Sequence, residues 1–350
     1  MAGSASRRWI AALTGAVSLL ALSACGGSSS STKAVAATGS AAAGAGGKVE
    51  LSLVAYSTPQ AAYTALIKAF QATDAGKDVT FKTSYGASGD QSRAVASGQA
   101  ADIVAFSLAP DIDRLVKAKL VDPGWDTNQY KGMVTDSVVV ITTRKGNPKG
   151  IKTWDDLVKP GVQVLTPNPF SSGSARWNIM AAYGAQTKAG KSDAQAQDYL
   201  KALFKNVPVQ ADSGRASLST FTGGEGDAII TYENEAIFAQ QNKQPVAYTV
   251  PPATILIENP IAVTSDSKHP AQAKAFLDFL YSKAGQQIYA DNGYRPVVAG
   301  VPGADKFPKP AQLFTIGDLG GWDVVTKKFF DPDAGVITAI EKADGVSTSK

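Results

Sequence analysis

"GVQVLTPNPFSSGSARWN" occupies residues 161–178. Its first five residues read as a short apolar strand. Pro167 and Pro169 stiffen the next few positions, and Ser171, Ser172, Gly173 and Ser174 crowd the point where a helix should begin. Beyond them Trp177, Met180, Ala181 and Gly184 recur at helical spacing. The stretch is a strand that feeds a helix through a loop of small hydrogen-bond donors. Two explanations compete for that loop. The serines cap the helix, or the helix N-terminus holds something negatively charged.

The same unit recurs along the chain. "VELSLVAY" (49–56) leads through "STPQ" (57–60) to Tyr63, Leu66, Ile67 and Phe70, one face of a helix. "ADIVAFSL" (101–108) precedes Ile112, Leu115 and Val116, and "DAIITYE" (227–233) precedes "NEAIFAQQ". Ala273, Phe276, Leu277 and Leu280 mark another amphipathic helix near the end. Strands alternating with helices predict an α/β fold with largely parallel sheets. In such sheets ligands bind outside the carboxyl ends of strands, where loops lead into helix N-termini. "SVVVITTRKGNP" (137–148) and "ATILIENPIAV" (253–263) are long, apolar and far apart. If both cross between two lobes, the residues between them form one lobe and the rest form the other. The expected division is 48–140 and 257–350 in lobe 1 and 141–256 in lobe 2.

The N-terminus reads as an export signal. Arg7 and Arg8 precede the apolar run "WIAALTGAVSLLALSA" (9–24), and "LSAC" ends on Cys25, the only cysteine of the 350 residues. The run is short for a membrane span, which needs roughly 20 apolar residues. "LSAC" resembles a lipobox. Residues 1–24 are thus expected to be removed, Cys25 to carry lipid, and the Gly/Ser/Ala-rich residues 25–47 to act as a flexible tether. That places a body without internal disulfides just outside a membrane, in the periplasm or at the cell surface.

Several chemistries lack their residues. The net charge of +4 is mild and no Lys/Arg block occurs, which argues against nucleic acid. The single histidine, His269, precedes Pro270 at a helix start and reads as a surface residue. One His and one Cys supply neither a zinc site nor a Ser/His/acid set, and no phosphate-loop or dinucleotide motif occurs. Asp155-Asp156 and Asp331/Asp333 read as helix-cap or turn acids. No catalytic residue, metal or cofactor is expected.

What the chain does supply is neutral donors. "SYGASGDQSR" (84–93), "PFSSGSARWN" (169–178) and "ADSGRASLSTF" (211–221) each open a helix with Ser and Gly, and "ITYENEA" (230–236) ends a strand at Tyr232. The first amides of a helix have no internal partner, and the helix dipole adds positive potential there. Glycine admits an oxygen close to the backbone, and hydroxyls add donors.

These stretches carry a resemblance. "SYGASGDQS", "RKGNPKGIKTWDDLVKPGVQVLTPNPFSSGSARWN", "FKNV", "DSGRASLSTF", "GDAIITYENEA", "ENPIAV", "YRPV" and "LFTIGDLGGW" together make the chain similar to the sulfate- and thiosulfate-binding proteins of ABC importers, within the periplasmic-binding-protein group. The resemblance spans residues 51–322. It implies a two-lobe type II α/β fold with two hinge-crossing segments and a dehydrated anion in the interlobe cleft. The implied donors are Ser88 from the first lobe, Ser172, Gly173 and Ser174 from the second, and Gly214 or Arg215 in the following loop. Tyr232 stands where sulfate binders carry a tryptophan, and Ser174 where they carry a second glycine. Ser57, at the head of "STPQ", completes the candidate set. An ABC permease as partner and a monomeric state are the matching expectations, and the lipobox at Cys25 adds a membrane reached through lipid. Sulfate carries no proton at neutral pH and suits a donor-only site, whereas hydrogen phosphate needs an acceptor. Asp90 is the nearest acid in these stretches. Molybdate, phosphate or an organic anion on the same fold, a hydrolase on this scaffold, and a non-transport surface protein are the competing readings.

Overall fold

Two β-branched runs too long for one short buried strand frame the molecule. The computed structural model describes residues 48–348. The expected signal peptide (1–24), the expected lipid site at Cys25 and the expected tether (25–47) lie outside the described residues. The strands are β1 (Val49–Tyr56), β2 (Val79–Gly86), β3 (Ile103–Ala105), β4 (Met133–Arg144), β5 (Val164–Leu165), β6 (Ala228–Tyr232), β7 (Val246–Thr249), β8 (Ala253–Val263), β9 (Arg295–Pro296) and β10 (Gln312–Phe314). The helices are α1 (Gln60–Gln71), α2 (Ser88–Ala96), α3 (Ala109–Lys117), α4 (Gly173–Lys188), α5 (Asp193–Phe204), α6 (Gly214–Thr222), α7 (Glu233–Gln241), α8 (Pro270–Leu280), α9 (Lys283–Asp291), α10 (Gly321–Phe329) and α11 (Val336–Ala343).

The long strands β4 and β8 belong to two strand sets at once. β1 pairs in parallel with β2 and β3, and β3 pairs antiparallel with residues 261–263 of β8. The middle of β8 pairs antiparallel with the first half of β4, from Met133↔Pro260 to Val138↔Leu256. The second half of β4 then pairs with β6 and β7, and the first residues of β8 pair with β10. Both crossings are therefore made by strands that pair with each other. This arrangement corrects the expectation of largely parallel sheets. The β1–β2, β1–β3, β5–β6 and β8–β10 pairs are parallel, and every pairing of β4 is antiparallel.

Each set has its own core. Leu51, Leu53, Tyr63, Leu66, Phe70, Phe276 and Tyr289 bury together beneath α1, α8 and α9, with Phe70 and Phe276 ring centres 5.1 Å apart. Ile141, Trp177, Met180, Ile230 and Tyr232 form the second. Phe314, Phe329, Phe330 and Ile337 pack in that second core. Side chains of residues 312–343 thus pack in the core that surrounds α4. The apolar faces of α10 and α11 cover it, and the Phe329 ring meets Tyr183 of α4 edge-on at 4.7 Å. α4 is buried on nearly every side. A side chain at Gly184 would run into the Phe314 ring, so this glycine lets the helix sink against β10. The helix start in "SSGSARWN" is therefore central.

An acid pair lies on the two crossing strands. Asp136 faces Glu258 across β4 and β8 and Arg295 across β9. Burial and the Glu258 carboxylate raise the Asp136 pKa to about 7, and burial raises Glu258. The unfolded chain releases the Asp136 proton near pH 4. Between those values the folded protein binds the extra proton, so stability falls as pH rises from about 4 to about 7. Asp136→Asn should flatten that slope and stabilise the protein above neutrality by about 1–2 kcal/mol. Urea denaturation on the two sides of the window checks this. An unchanged slope would place the Asp136 proton elsewhere.

Candidate anion-binding site

Three helices begin at the candidate loops. α2 starts at Ser88, α4 at Gly173 and α6 at Gly214, each after a residue in extended conformation. Their first amides have no carbonyl one turn back. Ordinary serine caps occur elsewhere: Ser192 and Ser282 accept from the amide three residues on, as Ser213 does for Ala216 of α6. Ser172 precedes α4 but makes no such bond. Its hydroxyl lies 2.8 Å from that of Ser174. α2 has Ala87 in the cap position and likewise no side-chain cap. The loop in "SSGSARWN" is thus not a conventional cap, and its hydroxyls remain beside the open helix end.

The three ends meet. A Cβ built on Gly173 would lie 2.8 Å from the Ser107 Cβ, the Ser107 Oγ and the Leu108 Cδ2. One built on Gly214 would lie 2.8 Å from the Ser174 Oγ and 3.1 Å from the Thr58 Cγ2. The Gly89 amide of α2 donates to the Ser171 carbonyl at 3.0 Å. Strand ends complete the ring. Ser107, beyond β3, donates its amide to the Ser88 Oγ at 2.9 Å, and its hydroxyl is 2.7 Å from the Tyr232 phenol at the end of β6. The Trp177 indole and the Asn259 amide donate to the Ser107 carbonyl at 2.8 and 3.1 Å. Ser57, Thr58, Ser88, Ser107, Ser172, Ser174 and Tyr232 are all buried.

Charged groups stand around this cluster but are engaged with one another. Ser88 donates its hydroxyl to the Asp111 carboxylate at 2.6 Å, and Arg114 donates to the other oxygen at 2.8 Å. Arg215 donates through Nε and Nη2 to both oxygens of the buried Glu235 at 2.9 and 2.6 Å. Its Nη2 also donates to the Thr58 carbonyl of the other lobe at 2.7 Å, and its plane lies 3.6 Å from the Phe238 ring centre. Burial pushes the Tyr232 phenol well above its ordinary range, so it stays protonated. Hydroxyls and amides of Ser107, Ser172, Ser174 and Tyr232 gather at the helix starts, with Arg93, Arg114, Arg176 and Asp111 lining the adjoining cavity.

A family profile for bacterial extracellular solute-binding proteins matches residues 51–295. The chain belongs to this family. The solute-binding protein is 41% identical over 338 residues to a sulfate-binding protein of Synechococcus elongatus, covering 93% of each chain. It is 35% identical to a thiosulfate-binding protein of Pseudomonas aeruginosa, covering 79% of this chain and 87% of the relative. The solved structure of the sulfate-binding protein SubI from Mycobacterium tuberculosis superposes with a TM-score of 0.79 at 46% identity, covering 81% of this chain and all of that one. The fold is the two-lobe type II periplasmic-binding-protein fold.

Within this solute-binding protein the expected residues converge unevenly. Ser88, Ser172, Gly173, Ser174, Gly214 and Tyr232 come together in one buried cluster, with Ser57 at its β1 edge. Ser172 keeps its hydroxyl for the cluster, while its amide donates to the Asn168 carbonyl at 2.9 Å. The Arg215 side chain turns away to Glu235 and Thr58, which leaves only its backbone amide near Gly214. Asp90 lies in the first turn of α2, paired with Arg93. The acid that touches a candidate donor is Asp111, which the sequence reading passed over. Ser107 and Thr58 were also missed. Thr58 follows β1, which ends at Tyr56 as read, whereas Ser107 fell inside the 101–108 strand segment, of which only Ile103–Ala105 forms β3.

Proposed function

We propose that this solute-binding protein is an extracytoplasmic receptor that captures sulfate or thiosulfate between its lobes and delivers it to an ABC permease. The meeting of the α2, α4 and α6 N-termini in a buried ring of hydroxyls carries the reading. Each helix end offers the equivalent of about half a positive charge, so three ends offset most of a dianion's charge without a cation in contact. Arg114 and Arg215 are neutralised by Asp111 and Glu235, so neither adds net charge. Each Asp111 oxygen already accepts one hydrogen bond, from Ser88 and from Arg114. A donor-only ring discriminates against hydrogen phosphate because the anion's O–H would stay unpaired, a penalty of about 1–3 kcal/mol.

Closure is a hinge motion in β4 and β8. The lobes are best divided as β1–β3 with α1–α3, α8 and α9 against β5–β7 and β10 with α4–α7, α10 and α11. The receptor acts without catalysis or cofactor, as a monomer, held near the membrane by lipid at Cys25 and the tether of residues 25–47. The similarity to sulfate- and thiosulfate-binding relatives supports the ligand class. A thermal-shift series with sulfate, thiosulfate, molybdate and phosphate tests it. A ligand at a hundred times its Kd adds about 2.7 kcal/mol of stability, a rise of about 5 °C or more for a chain of this size. Sulfate or thiosulfate should produce it at neutral pH, and phosphate should not. A larger shift with phosphate or molybdate would replace the assignment with another oxyanion on the same fold.

A further inference from the structure

Tyr56 ends β1, directly before Ser57 and Thr58. It is 4% exposed, and its phenol oxygen is buried without a hydrogen-bond partner. Few buried polar atoms in native proteins are left so. The Thr58 and Tyr294 hydroxyls neighbour it and lie 3.3 Å from each other, yet neither meets it in hydrogen-bond geometry. The Tyr56 ring packs in the core cluster that holds Trp177 and Tyr232 of the opposite lobe. Two residues on, Thr58 lies against the point where Gly214 and the Ser174 hydroxyl meet. The orphan hydroxyl therefore lies beside Thr58, which borders the anion ring from the lobe opposite α4 and α6.

We propose that Tyr56 is a further anion-binding residue, whose phenolic O–H donates to an oxygen of the bound sulfur oxyanion and finds there the partner it lacks within the protein. The inference rests on the receptor reading above and adds a donor to it. Burial and the Glu235 charge hold the phenol protonated, so it is a donor at any physiological pH. With Tyr232 it gives the ring a phenol from each lobe, and the two can both reach the anion only when the lobes are closed.

The sign of two effects separates this role from a structural one. Removing an unpaired buried hydroxyl takes away an unsatisfied group and leaves the ring packed, so the ligand-free protein should be as stable as before or more so. Removing a ligand donor should weaken binding. Tyr56→Phe should therefore raise the sulfate Kd about tenfold or more, a typical loss for a donor to a charged group, while the ligand-free melting midpoint stays level or rises. Calorimetry with sulfate and melting without it give both readings on the same preparations. A Kd within about twofold of the wild type would overturn the proposal. So would weakened binding with a lower ligand-free midpoint, since the hydroxyl would then be holding the fold. A wild-type protein silent to sulfate refutes the receptor reading itself, and the inference falls with it.

Discussion

Gly173→Ala weakens sulfate binding by about 100-fold or more, close to 2.7 kcal/mol, and leaves the ligand-free protein folded. The new methyl group would sit 2.8 Å from Ser107 and Leu108, nearer than carbon atoms approach without repulsion. Those residues belong to the loop between β3 and α3 on the first lobe, and Gly173 begins α4 on the second. The collision exists only when the lobes are together. Locally the substitution is benign, because Gly173 begins a helix and alanine is the better helix former. The cost therefore falls on closure and on the approach of the anion to the α4 amides. Titration calorimetry gives the affinity and a ligand-free melt gives the fold. An alanine variant with wild-type affinity would mean that the lobes do not meet at Gly173 in the bound state.

Arg215→Ala is expected to destabilise the protein by about 3–5 kcal/mol, because removing one partner of a buried pair strands the other. Glu235 is fully buried, and the Arg215 guanidinium is its ion-pair partner. The variant also loses the stack on Phe238 and the bond to the Thr58 carbonyl across the lobes. Pairing Arg215→Met with Glu235→Gln separates these effects. The double variant removes the stranded charge and should recover most of the stability, yet it still lacks the bridge to Thr58 and should bind sulfate less tightly. The penalty of the single variant also depends on pH. Burial already raises the Glu235 pKa, and loss of the arginine raises it further. At low pH the carboxyl is protonated in both folded and unfolded chains, so the penalty shrinks as pH falls. Urea denaturation across pH measures it. A single variant as stable as the wild type at neutral pH would show that Glu235 needs no counter-charge.

Much of this was legible in the sequence, because the relevant signals are local. Strand β8 falls at residues 253–263 as read, and helices α2, α4 and α6 open at their Ser/Gly loops. What was not legible depends on contacts between distant segments. Nothing within "SSGSARWN" says that Ser172 will leave α4 uncapped and turn its hydroxyl toward Ser174. Nothing in "ASGD" says that Ser88 will donate to Asp111, 23 residues on. The antiparallel pairing of β4 follows from the chain crossing twice through neighbouring strands, which hydrophobic periodicity does not encode. The packing of α10 and α11 in the core around α4 is set by which apolar face remained uncovered, a property of the assembled core.

The ring of neutral donors should select a fully deprotonated sulfur oxyanion. Isothermal titration calorimetry tests it most directly, on protein unfolded and refolded to remove carried ligand, with sulfate and phosphate titrated separately at neutral pH. One sulfate per chain bound tightly, with phosphate giving no heat of binding, is the expected result. Phosphate bound as tightly as sulfate, or sulfate giving no signal, would contradict the account and require an acceptor in the ring.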